Sequence, residues 1–304
     1  MSIRVDENNR PYIELGNGFA IRLNRAAYEE DKRLRVNVTL PEETAAAFAE
    51  FRRLAESKTT LNYVVDLSNY TAMVHLICYE NDARKAFNTL DHGYRLRYRE
   101  PTYVMPYAKI RHVYEQGFIR YLPECDDENV VIVVVEMGSR WDPSRISIVE
   151  FVTAIRISGI LIMLIPKAQK YGYRVIYDVD GLSMRQIAHF SPRVSNVLFD
   201  LIENCTPVSI EGMHTVNNGV MYNVLFAIFK QFMSKGMRQK CCMHGKDWQS
   251  LAKYINPRCL PPRYGGTSAA PDCDGKLLAE YLDNYQGYVE EYNSYGYTGP
   301  PDPK

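Results

Sequence analysis

The feature that most constrains the fold is a run of six β-branched residues at positions 130–135. Such a strand carries apolar side chains on both faces, which is typical of a parallel sheet covered on both sides. Further strand patterns follow at residues 173–179, 208–216 and 240–243. Helical patterns separate them at residues 144–170, 183–204 and 220–237. Because parallel neighbours need a crossover connection, this alternation predicts an α/β fold with a mainly parallel sheet.

The chain before residue 101 has a different pattern. Residues 11–15 and 19–23 alternate around Gly16-Asn17-Gly18, which predicts a small hairpin or extended arm within residues 1–27. From Pro41 to Arg99 apolar residues recur at helical spacing. We therefore expect residues 28–105 to form a small all-helical lobe.

The carboxy-terminal region, residues 268–304, is rich in tyrosine. Five tyrosines repeat at the 4-3-4-3 spacing of one helix face, namely Tyr281, Tyr285, Tyr288, Tyr292 and Tyr295. We expect this stripe to dock on the body of the protein, and binding of a partner is the alternative. The last six residues, GPPDPK, are expected to be disordered.

Charge and composition exclude several classes of protein. Lys+Arg and Asp+Glu both total 36, so no global field favours nucleic acid. The longest apolar run, within residues 155–165, is interrupted by Arg156 and is shorter than the roughly 20 residues of a membrane span. The first residues lack the apolar core of a secretory signal, and the seven cysteines have no regular spacing. These features predict a cytoplasmic protein with free thiols.

No set of residues in the sequence has the spacing of a catalytic motif. Cys241-Cys242-Met243-His244 is the best candidate for a metal site, but adjacent cysteines on a strand point to opposite faces. Asp178 and Asp180 could act as an acid–base pair, and His214 could act as a base. A strand-end Asp more often caps the following turn, and a histidine within a strand is more often a hydrogen-bonded core residue. We therefore expect no enzyme activity, no metal and no cofactor.

Beyond residue 140 the sequence resembles the CRAL-TRIO family of lipid-binding proteins, and within it the tocopherol-transfer branch. The resemblance is carried by WDP (141–143), YDVDG (177–181), SP-x-V (191–194), EGMHTVN (211–217), FKQF (229–232), MHG (243–245) and LPPRYGG (260–266). It implies that residues 106–267 form a lipid-binding lobe whose sheet is the floor of an apolar cavity. It also implies a monomeric carrier that holds one hydrophobic small molecule and contacts membranes transiently.

The same resemblance implies which residues hold the ligand. The positions that line the cavity are Val152, Ile155, Gly159, Tyr173, Val175, Tyr177, Leu182, Met184, Phe190, Leu198, Leu201, Ile202, Val208 and Met213. A mobile lid falls on residues 220–233, and its ligand-facing side chains are Tyr222, Leu225 and Ile228. Alternation along residues 173–177 and helical spacing along residues 198–202 place these side chains on common faces. Spacing alone is equally consistent with a solid core.

Two departures from the family pattern bear on the ligand. Ile155 and Gly159 stand where the tocopherol branch has serines near the ligand's polar head. Loss of these hydroxyls leaves a retinoid, carotenoid, sterol or other isoprenoid as alternatives to tocopherol. The Asn-x-Pro before the lid is replaced by Asn217-Asn218-Gly219, and glycine there could loosen the hinge.

A third departure is in the family's basic patch for phosphoinositides. Ser209, Glu211 and Gly236 occupy positions of that patch, and only Lys240 keeps its charge. A weaker patch could form from Lys230, Lys235, Arg238 and Lys240. The alternative function is therefore a phosphoinositide-binding or phospholipid-binding signalling adaptor of the same fold.

Overall fold

The computed structural model describes residues 1–23, 39–63, 65, 70–123 and 131–302. The predicted hairpin is present as β2 (Pro11–Gly16) and β3 (Phe19–Ile21), with Gly16, Asn17 and Gly18 at positive φ in the turn. A strand that the sequence did not predict, β1 (Ser2–Val5), pairs antiparallel with β2. This three-stranded sheet packs on the body, because Ile13, Ile21 and their neighbours are buried.

The amino-terminal lobe is helical, as predicted. Its helices are α1 (Glu42–Glu56), α2 (Tyr70–Cys78) and α3 (Ala83–Arg99). Two acidic residues begin α1, and the side chain of Asp82 caps α3 by accepting from Lys85 N–H at 3.1 Å. The lobe has its own core, in which Phe51 meets Phe87 edge to face. The predicted boundary at residues 27–28 lies outside the described residues.

The main sheet confirms the predicted α/β fold. Its strands, in the order in which they lie side by side, are β4 (Ile119–Tyr121), β5 (Val131–Glu136), β6 (Tyr173–Asp178), β7 (Ile210–Val216) and β8 (Cys241–Gly245). The strands from β5 to β8 are parallel, and β4 is antiparallel to β5. One row of paired residues runs across the sheet through Val133, Val175, Met213 and Cys241.

Helices cover the sheet and close it at one end. In chain order they are α4 (Tyr107–Glu115), α5 (Met137–Arg140), α6 (Ile148–Ile162), α7 (Pro166–Tyr171), α8 (Met184–Ile187), α9 (Pro192–Asn204), α10 (Val220–Phe229), α11 (Lys235–Lys240), α12 (Trp248–Ala252), α13 (Gly275–Leu282) and α14 (Gln286–Ser294). The predicted helix at residues 144–170 is two helices, because Pro166 begins a new one. Among the described residues, no helix is both long enough and apolar enough to cross a membrane.

The carboxy-terminal tyrosines dock on the body, as expected. Tyr281, Tyr285, Tyr288 and Tyr292 are buried, and Tyr281 Oη accepts from Leu23 N–H at 3.0 Å. The expectation that the last six residues are disordered is wrong for residues 299–302. Asp302 accepts from Thr59 Oγ1 at 3.1 Å, and its carbonyl accepts from Arg95 Nη1 at 2.6 Å. The segment is ordered because it meets backbone and side-chain donors of the amino-terminal lobe.

The expectation of free thiols throughout the chain is wrong for Cys259, which is disulfide-bonded. The other cysteines of the described residues, Cys78, Cys205, Cys241, Cys242 and Cys273, are free. Spacing did not predict this bond, because a disulfide depends on the approach in space of cysteines that are distant in the sequence.

A buried carboxylate fixes the carboxyl end of β5. Glu136 accepts from Arg120 Nη2 of β4 at 2.7 Å and also from Arg140 Nε. Arg263 Nη2 lies 3.2 Å from the other oxygen of Glu136. The Glu136 side chain thus joins the edge strand β4, its own strand β5 and the segment that follows α12.

We predict that Glu136→Gln lowers the free energy of unfolding by roughly 3 kcal/mol, because it removes the buried carboxylate that pairs with Arg120 and leaves that guanidinium only the exposed Asp272, 3.2 Å from its Nη1. Urea denaturation measures this change. The control is Glu50→Gln, which removes an exposed pair with Arg53 and should cost less than about 1 kcal/mol. Equal losses in the two variants would contradict the role assigned to Glu136.

Candidate functional site

The face of the sheet opposite α12 does not meet its covering helices completely, and a cavity of two chambers lies between them. The first chamber has a volume of about 60 Å³ and the second a volume of about 30 Å³, counted as the space open to the centre of a water-sized molecule. Ile155, Tyr177 and Ile202 line both chambers, so the two are neighbours along one apolar channel.

Most of the predicted ligand positions lie on this cavity. Gly159, Tyr173, Val175 and Leu201 line the first chamber. Phe190, Leu198, Met213 and Tyr222 line the second. The strand residues reach the cavity because Tyr173, Val175 and Tyr177 alternate with residues that face the other side of the sheet.

The remaining predicted positions lie elsewhere. Val152, Leu182 and Leu225 are buried in the surrounding core. Val208 lines a groove next to Lys240, and Ile228 is half-buried. Met184 is 55% exposed at the start of α8, so its side chain does not lie in the cavity of this structure.

Helix α10 covers the second chamber at the place predicted for the lid. Tyr222 Oη accepts from Thr215 Oγ1 at 2.8 Å. Phe229 meets Phe190 and Phe199 edge to face, with ring centroids 5.0 and 5.1 Å apart. The opposite side of α10 exposes Val220 and other apolar residues. The helix is thus held to the cavity by one face and leaves an apolar face outside.

The cavity is lined mainly by apolar side chains, with protonated hydroxyls among them. Burial raises the pKa of the Tyr173 and Tyr177 hydroxyls well above their ordinary value. Burial also raises the pKa of Tyr222 to about 12. All three hydroxyls are therefore neutral at physiological pH and can donate to a ligand.

Sequence reasoning missed a polar wall of the first chamber. Arg97, Arg156, Thr206 and Tyr292 line it. The sequence shows that Arg156 interrupts an apolar helix, but it does not show that the side chain of Arg156 points to the chamber. Arg97 gave no signal, because its approach to the chamber depends on how α3 packs against α9 and α14.

The acid–base candidates have structural partners. Asp178 accepts from Asn217 Nδ2 and from Tyr264 Oη, each at 2.9 Å, and from the Asp180 N–H at 3.1 Å. Its carboxylate therefore ties the ends of β6 and β7 to the segment that follows α12. Asp180 itself is exposed.

The sheet face opposite the cavity brings together His214, Cys242 and His244, whose ligand atoms lie within 4.8 Å of one another. His214 Nδ1 lies 3.0 Å from His244 Nε2, and His244 Nδ1 lies 2.8 Å from Ser250 Oγ. His214 is therefore a hydrogen-bonded core residue, as predicted. Cys241 points to the cavity side, where its Sγ lies 3.9 Å from Met233 Sδ.

The basic residues predicted to bind phosphoinositides lie on and beside α11. Lys230, Lys235 and Arg238 are exposed. Lys240 donates to the carbonyl of Ile210 and lies 3.9 Å from Glu211. Among the described residues, Lys230, Lys235 and Arg238 have no ion pair with an acidic side chain, and a role of the four cations in headgroup binding stays a prediction.

Comparison with known proteins identifies relatives of this chain. The sequence profile of the CRAL/TRIO domain matches residues 115–266. Alpha-tocopherol transfer protein-like of Mus musculus is 25% identical over 201 residues, which is 66% of this chain and 58% of that protein. Clavesin-2 of Rattus norvegicus is 26% identical over 191 residues, which is 63% of this chain and 58% of that protein. The chain thus spans less than two thirds of the length of these relatives.

Among solved structures, the crystal structure of Sfh5 aligns with a TM-score of 0.46 and 11% sequence identity. The alignment covers 84% of this chain and 99% of that chain.

We predict that acid destabilises the protein partly through His214. Burial, then His244 and Arg174, lower the pKa of His214 to about 4, below its value in an unfolded chain. As the pH falls from 6.5 towards 4, the unfolded state takes up a proton that the native state does not. The free energy of unfolding should therefore fall, by at most about 1.4 kcal/mol per pH unit for this group.

The measurement is urea denaturation at several pH values between 7 and 4.5. His214→Gln should flatten the dependence on pH, whereas the exposed His189→Gln should keep the slope of the parent. A slope unchanged in His214→Gln would contradict this prediction.

Proposed function

This chain belongs to the CRAL/TRIO domain family, and from that premise we propose that it is a non-enzymatic carrier of one hydrophobic small molecule. The ligand occupies the two-chamber cavity between the main sheet and helices α6, α9 and α10. The carrier takes up the molecule from one membrane and delivers it to another.

The observation that carries this proposal is the apolar cavity itself. Ligand sites in proteins are lined mainly by apolar and aromatic side chains, as both chambers are, and a lipid that enters must widen the small space now between those side chains. Burying about 500 Å² of apolar ligand surface gains on the order of 10 kcal/mol before association costs. Such a gain supports tight binding without a covalent step.

The position of α10 supports its role as the lid. The helix begins after Gly219, which has no side-chain cap, and its outer face exposes Val220. An exposed apolar face next to a ligand cavity suits transient insertion into a bilayer surface. Opening at Gly219 would separate Phe229 from Phe190 and Phe199 and give the ligand a path to the membrane.

The ligand class follows from the lining. Tocopherol, retinoids, carotenoids, sterols and related isoprenoids all fit an apolar channel with a few hydroxyl donors. We propose that the carrier acts in the cytoplasm as a monomer. The disulfide at Cys259 is the observation that weighs against this location, because the cytoplasm keeps most thiols reduced.

We predict that the purified protein carries one lipid and that Val175→Phe removes it. The added ring would occupy the first chamber, where Val175 lies on the sheet floor. Native mass spectrometry and lipid extraction measure the bound molecule, and thermal denaturation checks the fold. The matched control is Val5→Phe on the exposed part of β1, which should keep the lipid.

The carrier proposal fails if no lipid accompanies the parent protein and no tocopherol, retinoid or sterol binds more tightly than millimolar. It also fails if Val175→Phe retains the lipid at the level of the parent.

The alternative, a phosphoinositide-binding or phospholipid-binding adaptor, predicts salt-sensitive binding to anionic liposomes. Alanine at Lys235, Arg238 and Lys240 together should abolish that binding, as measured by liposome co-sedimentation. The control is the pair Arg84→Ala and Lys85→Ala, which are exposed cations of the amino-terminal lobe. Equal binding by the two sets of variants would exclude the adaptor site.

A further inference from the structure

The polar wall of the first chamber begins with an arginine in an otherwise apolar helix. Arg156 of α6 is only 6% exposed. Its Nε donates to the carbonyl of Tyr103 at 3.0 Å, and its Nη1 donates to Asn293 Oδ1 at 2.9 Å. Its Nη2 is buried and has no hydrogen-bond partner. A guanidinium on a cavity wall whose N–H group has no partner can donate a hydrogen bond to an acceptor atom of a ligand.

A second arginine reaches the same chamber from α3. Arg97 Nη1 donates to the carbonyl of Tyr292 at 2.9 Å, and its Nη2 donates to the carbonyl of Asn293 at 3.1 Å. Its Nε is buried without a partner. Asn293 thus accepts from both arginines, through its backbone for Arg97 and its side chain for Arg156, and this fixes the two guanidiniums beside one another.

Two glycines allow the polar wall to close. A side chain at Gly159, one turn after Arg156, would meet Thr206 Cγ2 at 3.1 Å. A side chain at Gly93, one turn before Arg97, would meet Cys205 at 3.5 Å. The arginine-bearing faces of α3 and α6 therefore converge on residues 205–206. Thr206 Oγ1, which also lines the chamber, is a further buried atom without a partner.

The charge of this wall is not balanced by protein groups. No carboxylate among the described residues forms an ion pair with Arg97 or Arg156. Asp200, which lies on the neighbouring α9, is engaged by His92 at 2.6 Å and by Arg99 at 3.4 Å. Burial and then Arg97 lower the pKa of Arg156 to about 10, so it remains charged at neutral pH. A buried charge without a counter-ion is strongly unfavourable, and an anion in the chamber would remove this cost.

We propose that the first chamber binds the carboxylate of an acidic lipid, a long-chain fatty acid or an isoprenoid acid, through Arg156 and Thr206. The carboxylate oxygens accept from Arg156 Nη2 and Thr206 Oγ1, and Arg97 supplies a second positive charge. The hydrocarbon part passes Ile155 and Tyr177 into the second chamber. This inference rests on the proposed carrier function and names the class of its ligand.

The test compares pairs of ligands that differ only in the head group. Oleic acid is compared with oleyl alcohol, and retinoic acid with retinol, by isothermal titration of delipidated protein at neutral pH. We expect each acid to bind at least about tenfold more tightly than its alcohol, since a charge-assisted hydrogen bond contributes roughly 1.5–3 kcal/mol. Equal binding of acid and alcohol overturns the inference and leaves the carrier function intact. If no member of either pair binds, the carrier function fails with it.

Variants assign the preference to the polar wall. Arg156→Met should reduce the affinity for oleic acid about tenfold or more and change that for oleyl alcohol less than about threefold. Arg156→Lys should restore part of the preference. Thr206→Val keeps the shape of the side chain and removes only the hydroxyl. It should reduce the preference for the acid over the alcohol without affecting the fold. The control is Arg185→Met, which replaces an exposed arginine of α8. This variant should bind the acid and the alcohol as the parent does. An unchanged preference in both Arg156→Met and Thr206→Val overturns the inference.

Discussion

A mainly parallel sheet needs cover on both faces, and here the two faces are covered differently. Ile132, Val134 and Ile176 pack against the segment that follows β8 and form a solid core with Leu251 and Tyr264. On the other face Val133, Val175 and Tyr177 look into open space. Helices α6, α9 and α10 cover this face, and the cavity lies between them and the sheet. The lid position and the polar wall both border that cavity.

The order of strands and helices could be predicted because apolar residues recur with the period of a strand or a helix within each element. Strand β5 is apolar at every position from Val131 to Val135, and the tyrosines of the carboxy-terminal helices share one face. Strand β4 was missed because three residues, Ile119–Tyr121, carry too little pattern. It is a strand because its backbone pairs antiparallel with Val133–Val135 of β5. The order of residues 299–302 was missed for the same reason, since it comes from contacts with Thr59 and Arg95 some 200 residues away.

The apolar part of the candidate site could be predicted, and the polar part could not. Tyr173, Val175 and Tyr177 share a strand face, so one of them on the cavity places the others there. The side chain of Met184 lies outside the cavity of this structure because it is in the first turn of the short helix α8, where it is 55% exposed. Arg97 and Thr206 reach the chamber through the packing of distant segments. Short local patterns do not predict such contacts between distant segments. The roles of Gly93 and Gly159 can be assigned only when the positions of the neighbouring segments are known.

The wall of the first chamber that α14 supplies is made late in synthesis. Chains emerge from the ribosome from the amino terminus, and the sheet and helices α6 and α9 are all made before Tyr292 and Asn293. Until those two residues arrive, the first chamber lacks one side, and Arg97 and Arg156 lack the carbonyl and amide oxygens that hold them. The sheet residues and α10 are therefore made before the first chamber can close, and the chamber is complete only when the end of α14 has folded back.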